Sequence, residues 1–177
     1  LIVLKILLRY TENNNIFVVD VNNNVLEGAK KLGNKNTFNV SNSLNFLKEY
    51  NNYFDVAFEA SGNVHSINNI ISTIQKGGSI IQVGNMPGGL INIAYNQMML
   101  KELKLFGSYR FDREFKQAVY LINNKQFTFK DMLTHTFQLE DCDKAMRVAS
   151  NKDLSIFSKE TKIGNIAKGA QPCTSAN

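Results

Sequence analysis

Ile16-Phe17-Val18-Val19-Asp20 is an apolar run closed by a carboxylate, and a helical pattern follows it directly. A strand that ends on an acidic residue is how dinucleotide-binding α/β folds hold the adenosine ribose. The carboxylate accepts hydrogen bonds from the 2′- and 3′-hydroxyls and repels a 2′-phosphate, which favours NAD over NADP. A second reading of Asp20, as a helix cap or a solvated loop acid, stands beside the first. A G-x-G-x-x-G phosphate turn normally precedes such a strand. None lies between Leu1 and Ile16. The expectation is therefore a chain that is the later part of a longer protein, with Leu1 to Leu8 as a buried helix cut through its middle.

Working outward, apolar and polar residues alternate between two periods. Asn22-Asn23-Asn24 can cap a helix through Val25, Leu26, Ala29 and Leu32, ended by Gly33. Thr37 to Val40 is a short strand, and Ser41 opens a helix through Leu44, Phe46 and Leu47. Phe54 to Ala60 has the composition of a buried strand and runs into Ser61-Gly62. Ile67, Ile70, Ile71 and Ile74 fall at i, i+3, i+4 and i+7, the stripe of an amphipathic helix, which Gly77-Gly78 would end. Ser79 to Val83 is a further strand stopped by Gly84, Tyr95 to Lys101 a short helix, and Leu103 to Tyr109 a last strand. Strands that alternate with helices at this spacing predict an α/β fold, a Rossmann-like parallel sheet with helices on both faces. Three segments are expected: a truncated dinucleotide-binding domain over 1–110, a piece of a second domain over 111–156, and a disordered tail over 157–177.

Bulk properties exclude several classes. Hydrophobic residues make up 44% and charged residues 20%, as in a folded globular protein. The net charge of +5 comes from scattered lysines, three of them (Lys159, Lys162 and Lys168) near the end. No basic stripe points to a nucleic-acid partner. Leu1 to Leu8 is too short to span a membrane and lacks the features of a signal peptide. Cys142 and Cys173 form no CxxC pair, and His65 and His135 are the only histidines, so neither a disulfide framework nor a metal site is expected. Cytoplasmic placement follows as the expectation.

In open α/β sheets, ligands sit at the carboxyl ends of the strands. There the sequence places Asp20, then Ser61-Gly62, then Val83-Gly84, then Tyr109-Arg110. Glycines at two successive strand ends suit a backbone that must approach a flat cofactor closely, or they simply make tight turns. Arg110 can reach a cofactor phosphate or ribose, or stand as a surface arginine. Glu59 can contact the site or serve as a polar strand end. His65 and His135 read as structural residues, and no catalytic residue is assigned.

FEASGNVHSINNIISTIQKGGSIIQVGNMPGG (58–89), KELKLFGSYRF (101–111) and LTHTFQLEDCDKAMRVAS (133–150) occur in that order. Together they resemble the medium-chain dehydrogenases, from the later half of the cofactor domain onward. The resemblance spans Leu1 to Ile156 and is greatest to the zinc-dependent polyol branch of sorbitol, threonine and L-idonate dehydrogenases, with SYRF favouring the last. It implies oxidation of a secondary alcohol on a sugar acid or polyol. Hydride would pass to NAD or NADP, and a zinc ion would polarise the alcohol oxygen. It also implies that Asp20 holds the ribose, that Ser61, Gly62, Val83 and Gly84 line the cofactor groove, and that Tyr109 and Arg110 lie near the nicotinamide end. The last strand would pair across a homo-oligomer at the sheet edge.

Three departures limit what the chain is expected to do. A basic residue often stands five positions after the ribose acid, where this sequence has Val25. The zinc ligands and proton-relay residues of the family belong to its amino-terminal domain and are not found here. SKETKIGNIAKG (158–169) stands where an apolar strand is expected. The isolated chain is thus expected to be inactive. The alternatives are a zinc-free quinone reductase of the same superfamily, and a non-catalytic remnant that self-associates through its sheet edge.

Overall fold

Strands and helices alternate along the chain as the periodicity predicts. The computed structural model describes residues 1–41, 44–133 and 135–150, and the chain divides into a unit Leu1–Thr128 and a second unit that begins at Phe129. The expected tail from Phe157 lies outside the described residues. In the first unit the order is α1 (Ile2–Tyr10), β1 (Phe17–Asp20), α2 (Asn23–Lys31), β2 (Asn36–Asn39), α3 (Leu44–Glu49), β3 (Phe54–Glu59), α4 (Val64–Thr73), β4 (Ile74–Gln82), α5 (Tyr95–Leu100), β5 (Lys104–Gly107) and α6 (Arg113–Asn123). The second unit contains α7 (Cys142–Ser150), entered through a 3-10 turn at Leu139–Asp141. Among the described residues, no helix is long and apolar enough to cross a membrane.

The single sheet expected from the sequence is found as two parallel pieces, β1–β2 and β3–β4–β5. In the doubly wound order 3-2-1-4-5-6 a first strand separates two halves of this kind. Here no strand of the described residues lies between them. The halves meet through aromatic rings instead. Phe17, at the start of β1, stands edge-on to Phe54, at the start of β3, with ring centroids 5.0 Å apart. Phe38, Phe46, Tyr50 and Tyr53 complete the cluster. Offset and edge-to-face contacts of this type add to the gain from simple burial.

Each half has its own core. Leu4 of α1, Ile16 and Ala29 of α2 pack over the first sheet, with Leu7, Val18 and Leu32 around them. Ile67 and Ile71 of α4, Ile74 and Ile80 of β4, and Met98 of α5 form the second core. Asn22 caps α2 by accepting from the Asn24 amide at 2.8 Å, and Asn63 caps α4 through the His65 amide at 2.8 Å. Asn34, 2% exposed, donates to the Asn13 side chain and to the Ile16 carbonyl, both at 3.0 Å. It ties the turn after α2 to the entry of β1.

Two details differ from the sequence reading. The helix over Ile67–Ile74 ends at Thr73, not at Gly77-Gly78, and β4 starts directly at Ile74. The pairing jumps from Phe54↔Ile74 to Val56↔Ser79, and the intervening residues, with Gly77 at φ 76°, bulge out. A tertiary contact holds this junction. The Lys101 ammonium donates to the carbonyls of Ile71, Ser72 and Ile74 at 2.7, 2.9 and 3.0 Å. Three donors thus meet the acceptors released where the helix ends. Burial pulls the pKa of this lysine down.

The second difference concerns β3. Its alternate residues separate into one face, with Ala57 beside the buried Ile80, that packs on α4 and α5, and another that is open. Val56 and Phe58, with Phe106 of β5, lie on the open face and remain substantially exposed. The strand is buried on one face, not both.

Candidate functional site

The carboxyl ends of β3 and β4 are joined by one buried carboxylate. Glu59 and Gln82 are register partners on adjacent strands, each the last residue of its strand. Glu59 is 1% exposed. Its Oε1 accepts from the Ser61 amide at 2.9 Å and from the Ser61 hydroxyl. Its Oε2 accepts from the Gly62 amide at 3.0 Å and from Gln82 Nε2 at 2.6 Å. The backbone carbonyl of Glu59 takes the Val83 and Gly84 amides at 2.8 and 2.9 Å. Ser61-Gly62 and Val83-Gly84, predicted from sequence as separate strand ends, are therefore brought together on one residue.

The glycines follow from this contact. A Cβ on Gly84 would lie 2.3 Å from the Gly62 nitrogen, and one on Gly62 would lie 2.1 Å from the Asn85 carbonyl oxygen. Gly62 also holds φ 67°. The two turns pack backbone on backbone, and only residues without a side chain permit it. The Ser61 hydroxyl points inward to Glu59 and accepts from the Asn63 amide at 3.2 Å. Ser61, Gly62, Val83 and Gly84 have their amides satisfied internally. These four residues therefore offer no free N–H donors.

Glu59 titrates below the ordinary glutamate range. Burial pushes its pKa up, and the hydrogen bonds from Ser61, Gly62 and Gln82 outweigh that and bring it down. With the folded pKa below the unfolded value of about 4.3, the contribution of Glu59 to stability is complete above that value and is lost as pH falls through the folded pKa. Thermal unfolding of the unmodified chain from neutral pH down to about pH 3 is expected to show a steeper acid decline than Glu59→Gln. Parallel profiles for the two proteins would contradict the assignment.

Asp20 closes β1 in the other sheet. Its Oδ1 accepts from the Asn22 amide at 2.8 Å, and its Oδ2 accepts no hydrogen bond among the described residues. The helix-cap alternative passes to Asn22, whose side chain caps α2. Asn39, at the end of β2, fixes the loop beyond Asp20 by donating to the Val21 carbonyl at 3.1 Å and to the Asn23 side chain at 2.6 Å.

Tyr109 and Arg110 leave β5 along the end of β4, where the Ser108 amide donates to the Gln82 carbonyl at 2.9 Å. Both side chains are exposed, and the Arg110 guanidinium lies 5.0 Å over the Tyr109 ring. Arg110 has φ 56°. His65 is exposed at the start of α4, and His135, in the second unit, stacks on Phe137. Sequence reasoning left Glu59 open between two roles and missed Gln82. The available signal was a polar residue closing each of two apolar strands just before a glycine turn.

Parallel strands with glycine turns and an acidic residue at their carboxyl ends define the Rossmann-like class of α/β folds. The chain belongs to the zinc-binding dehydrogenase family, whose family model matches residues 5–124. It is 33% identical to sorbitol dehydrogenase 1 of Saccharomyces cerevisiae over 141 residues, covering 73% of this chain and 39% of that protein. It is 31% identical to an L-idonate 5-dehydrogenase (NAD(P)(+)) of Escherichia coli over 138 residues, 77% of this chain and 40% of the relative. The crystal structure of L-idonate 5-dehydrogenase from Escherichia coli superposes with a TM-score of 0.70 at 30% identity, over 78% of this chain and 40% of its own. An Escherichia coli alcohol dehydrogenase solved with NADH shares the fold at TM-score 0.70 and 17% identity, over 80% of this chain and 42% of that one. The chain thus spans about two-fifths of the length of these relatives.

The family implies zinc and a nicotinamide cofactor, and the residues present fit the two differently. Among the described residues, no three His, Cys, Asp or Glu side chains come together to hold a metal. A nucleotide fits better: at the carboxyl end of β1, Asp20 carries an acceptor oxygen that is unused among the described residues.

Proposed function

We propose that this chain carries much of the nucleotide half of an NAD-dependent, zinc-dependent enzyme that oxidises a secondary alcohol of a polyol or sugar acid. The observation that carries the reading is Asp20 at the carboxyl end of β1, whose Oδ2 accepts no hydrogen bond among the described residues. The carboxyl ends of β3 and β4 are closed by glycine turns that pack on one another. Asp20 would take the ribose hydroxyls, Ser61-Gly62 and Val83-Gly84 would line the groove, and Tyr109-Arg110 would flank it. Bound NAD supplies a hydride acceptor. This chain's residues would bind and orient it.

In the same reading, residues 1–110 form the nucleotide domain and 111–156 a segment of the substrate domain. The enzyme works in the cytoplasm as a homo-oligomer through β5. In support, β5 pairs with β4 alone among the described residues, and all four of its residues are exposed.

Alone, the chain is read as inactive, since it contributes no zinc ligand set among its described residues. Incubated with NAD, zinc and either L-idonate or sorbitol, the purified chain is expected to form no NADH. Sustained NADH formation by the chain would overturn that part of the reading.

A further inference from the structure

We propose that Glu59 is a positioning residue that locks the turn after β3 to the turn after β4, so that both act as one rigid ledge for the nucleotide. The inference rests on the reading of this groove as a nucleotide site.

A count of donors and acceptors carries it. An ionised carboxylate has about four acceptor positions and no donor. All four positions of Glu59 are occupied, two by Ser61, one by the Gly62 amide and one by Gln82. With its side chain 1% exposed, it has no acceptor left for a ligand. Its effect on a ligand is therefore indirect.

The lock reaches both turns. The side chain gathers the first turn, and the backbone carbonyl gathers the second through Val83 and Gly84. Gln82 bridges them, because its two Nε2 protons reach Glu59 Oε2 at 2.6 Å and the Gly84 carbonyl at 2.7 Å. Glutamine at 59 keeps the size and loses the logic. Its NH2 group would face donors from Ser61 or from Gly62 and Gln82, and no rotation of the amide avoids that conflict.

The test uses the full 177-residue chain in its unmodified, Glu59→Gln and Gln82→Met forms. Amide hydrogen exchange is read by NMR, and NADH affinity by fluorescence titration. Glu59→Gln is expected to speed exchange at both Gly62 and Gly84 by about tenfold or more, leave Ile71 and Ile80 unchanged, and weaken NADH by about tenfold. Gln82→Met, which removes the bridge and leaves the carboxylate, should shift the same amides and the same affinity by a smaller factor. It carries the test if Glu59→Gln does not fold.

Faster exchange at one turn alone would overturn the lock. Faster exchange at both turns with unchanged NADH affinity would overturn its role in binding. If the unmodified chain takes up no NADH, the nucleotide reading fails, and the lock stands or falls on whether the two turns loosen together.

Discussion

Gly84→Ala is expected to cost about 3 kcal/mol of stability, while Gly88→Ala, four residues on, changes it by no more than about 1 kcal/mol. The contrast is geometric. A Cβ at 84 would meet the Gly62 nitrogen at 2.3 Å, Glu59 Oε2 at 2.8 Å and the Ala60 carbonyl carbon at 2.9 Å. Two of these are backbone atoms of the neighbouring turn and cannot swing aside, and the third is the carboxylate that holds the turns together. At Gly88 nothing lies within 4 Å. Urea unfolding of the three proteins side by side gives the comparison, and equal midpoints for Gly84→Ala and Gly88→Ala would show that the turns do not pack as described.

The second large effect is expected at Asp20. Asp20→Asn should weaken NADH binding about 10- to 100-fold, the worth of one or two hydrogen bonds to a charged acceptor. Asparagine is the informative substitution because its amide oxygen can still accept from the Asn22 amide, the bond Oδ1 makes at 2.8 Å. The local turn survives and the charge does not. The same variant should narrow any preference for NADH over NADPH, since a neutral side chain no longer repels a 2′-phosphate. Fluorescence titration with both nucleotides measures the two effects together, and unaltered affinity for NADH would remove Asp20 from the site.

Local pattern carried much of the fold. The stripe Ile67, Ile70, Ile71 reads as a helix because its spacing is set within one element, and Asn22 reads as a cap because it sits directly before the helix it serves. What escaped depends on residues far apart in sequence. The division of the sheet depends on which strands find partners. The early start of β4 at Ile74 depends on Lys101, 27 residues away, reaching back to the end of α4. Phe54 to Ala60 has the composition of a buried strand, and composition does not show that Val56 and Phe58 stay open.

The site shows the same boundary. Each glycine turn is visible alone in the sequence. That Gly62 and Gly84 are glycines because of each other is visible only once β3 and β4 are in register. Glu59 gave two readings from sequence, ligand contact or polar strand end. Its four hydrogen bonds and its burial decide for the second.

Asp20 and the glycine turns are proposed to form a nucleotide groove selective for NAD. The most direct measurement is a paired titration of the unmodified chain with NADH and NADPH, followed by nucleotide fluorescence. Weak, saturable enhancement is expected with NADH, and at least about tenfold weaker binding of NADPH. No saturable signal with either nucleotide, or equal affinity for both, would contradict it.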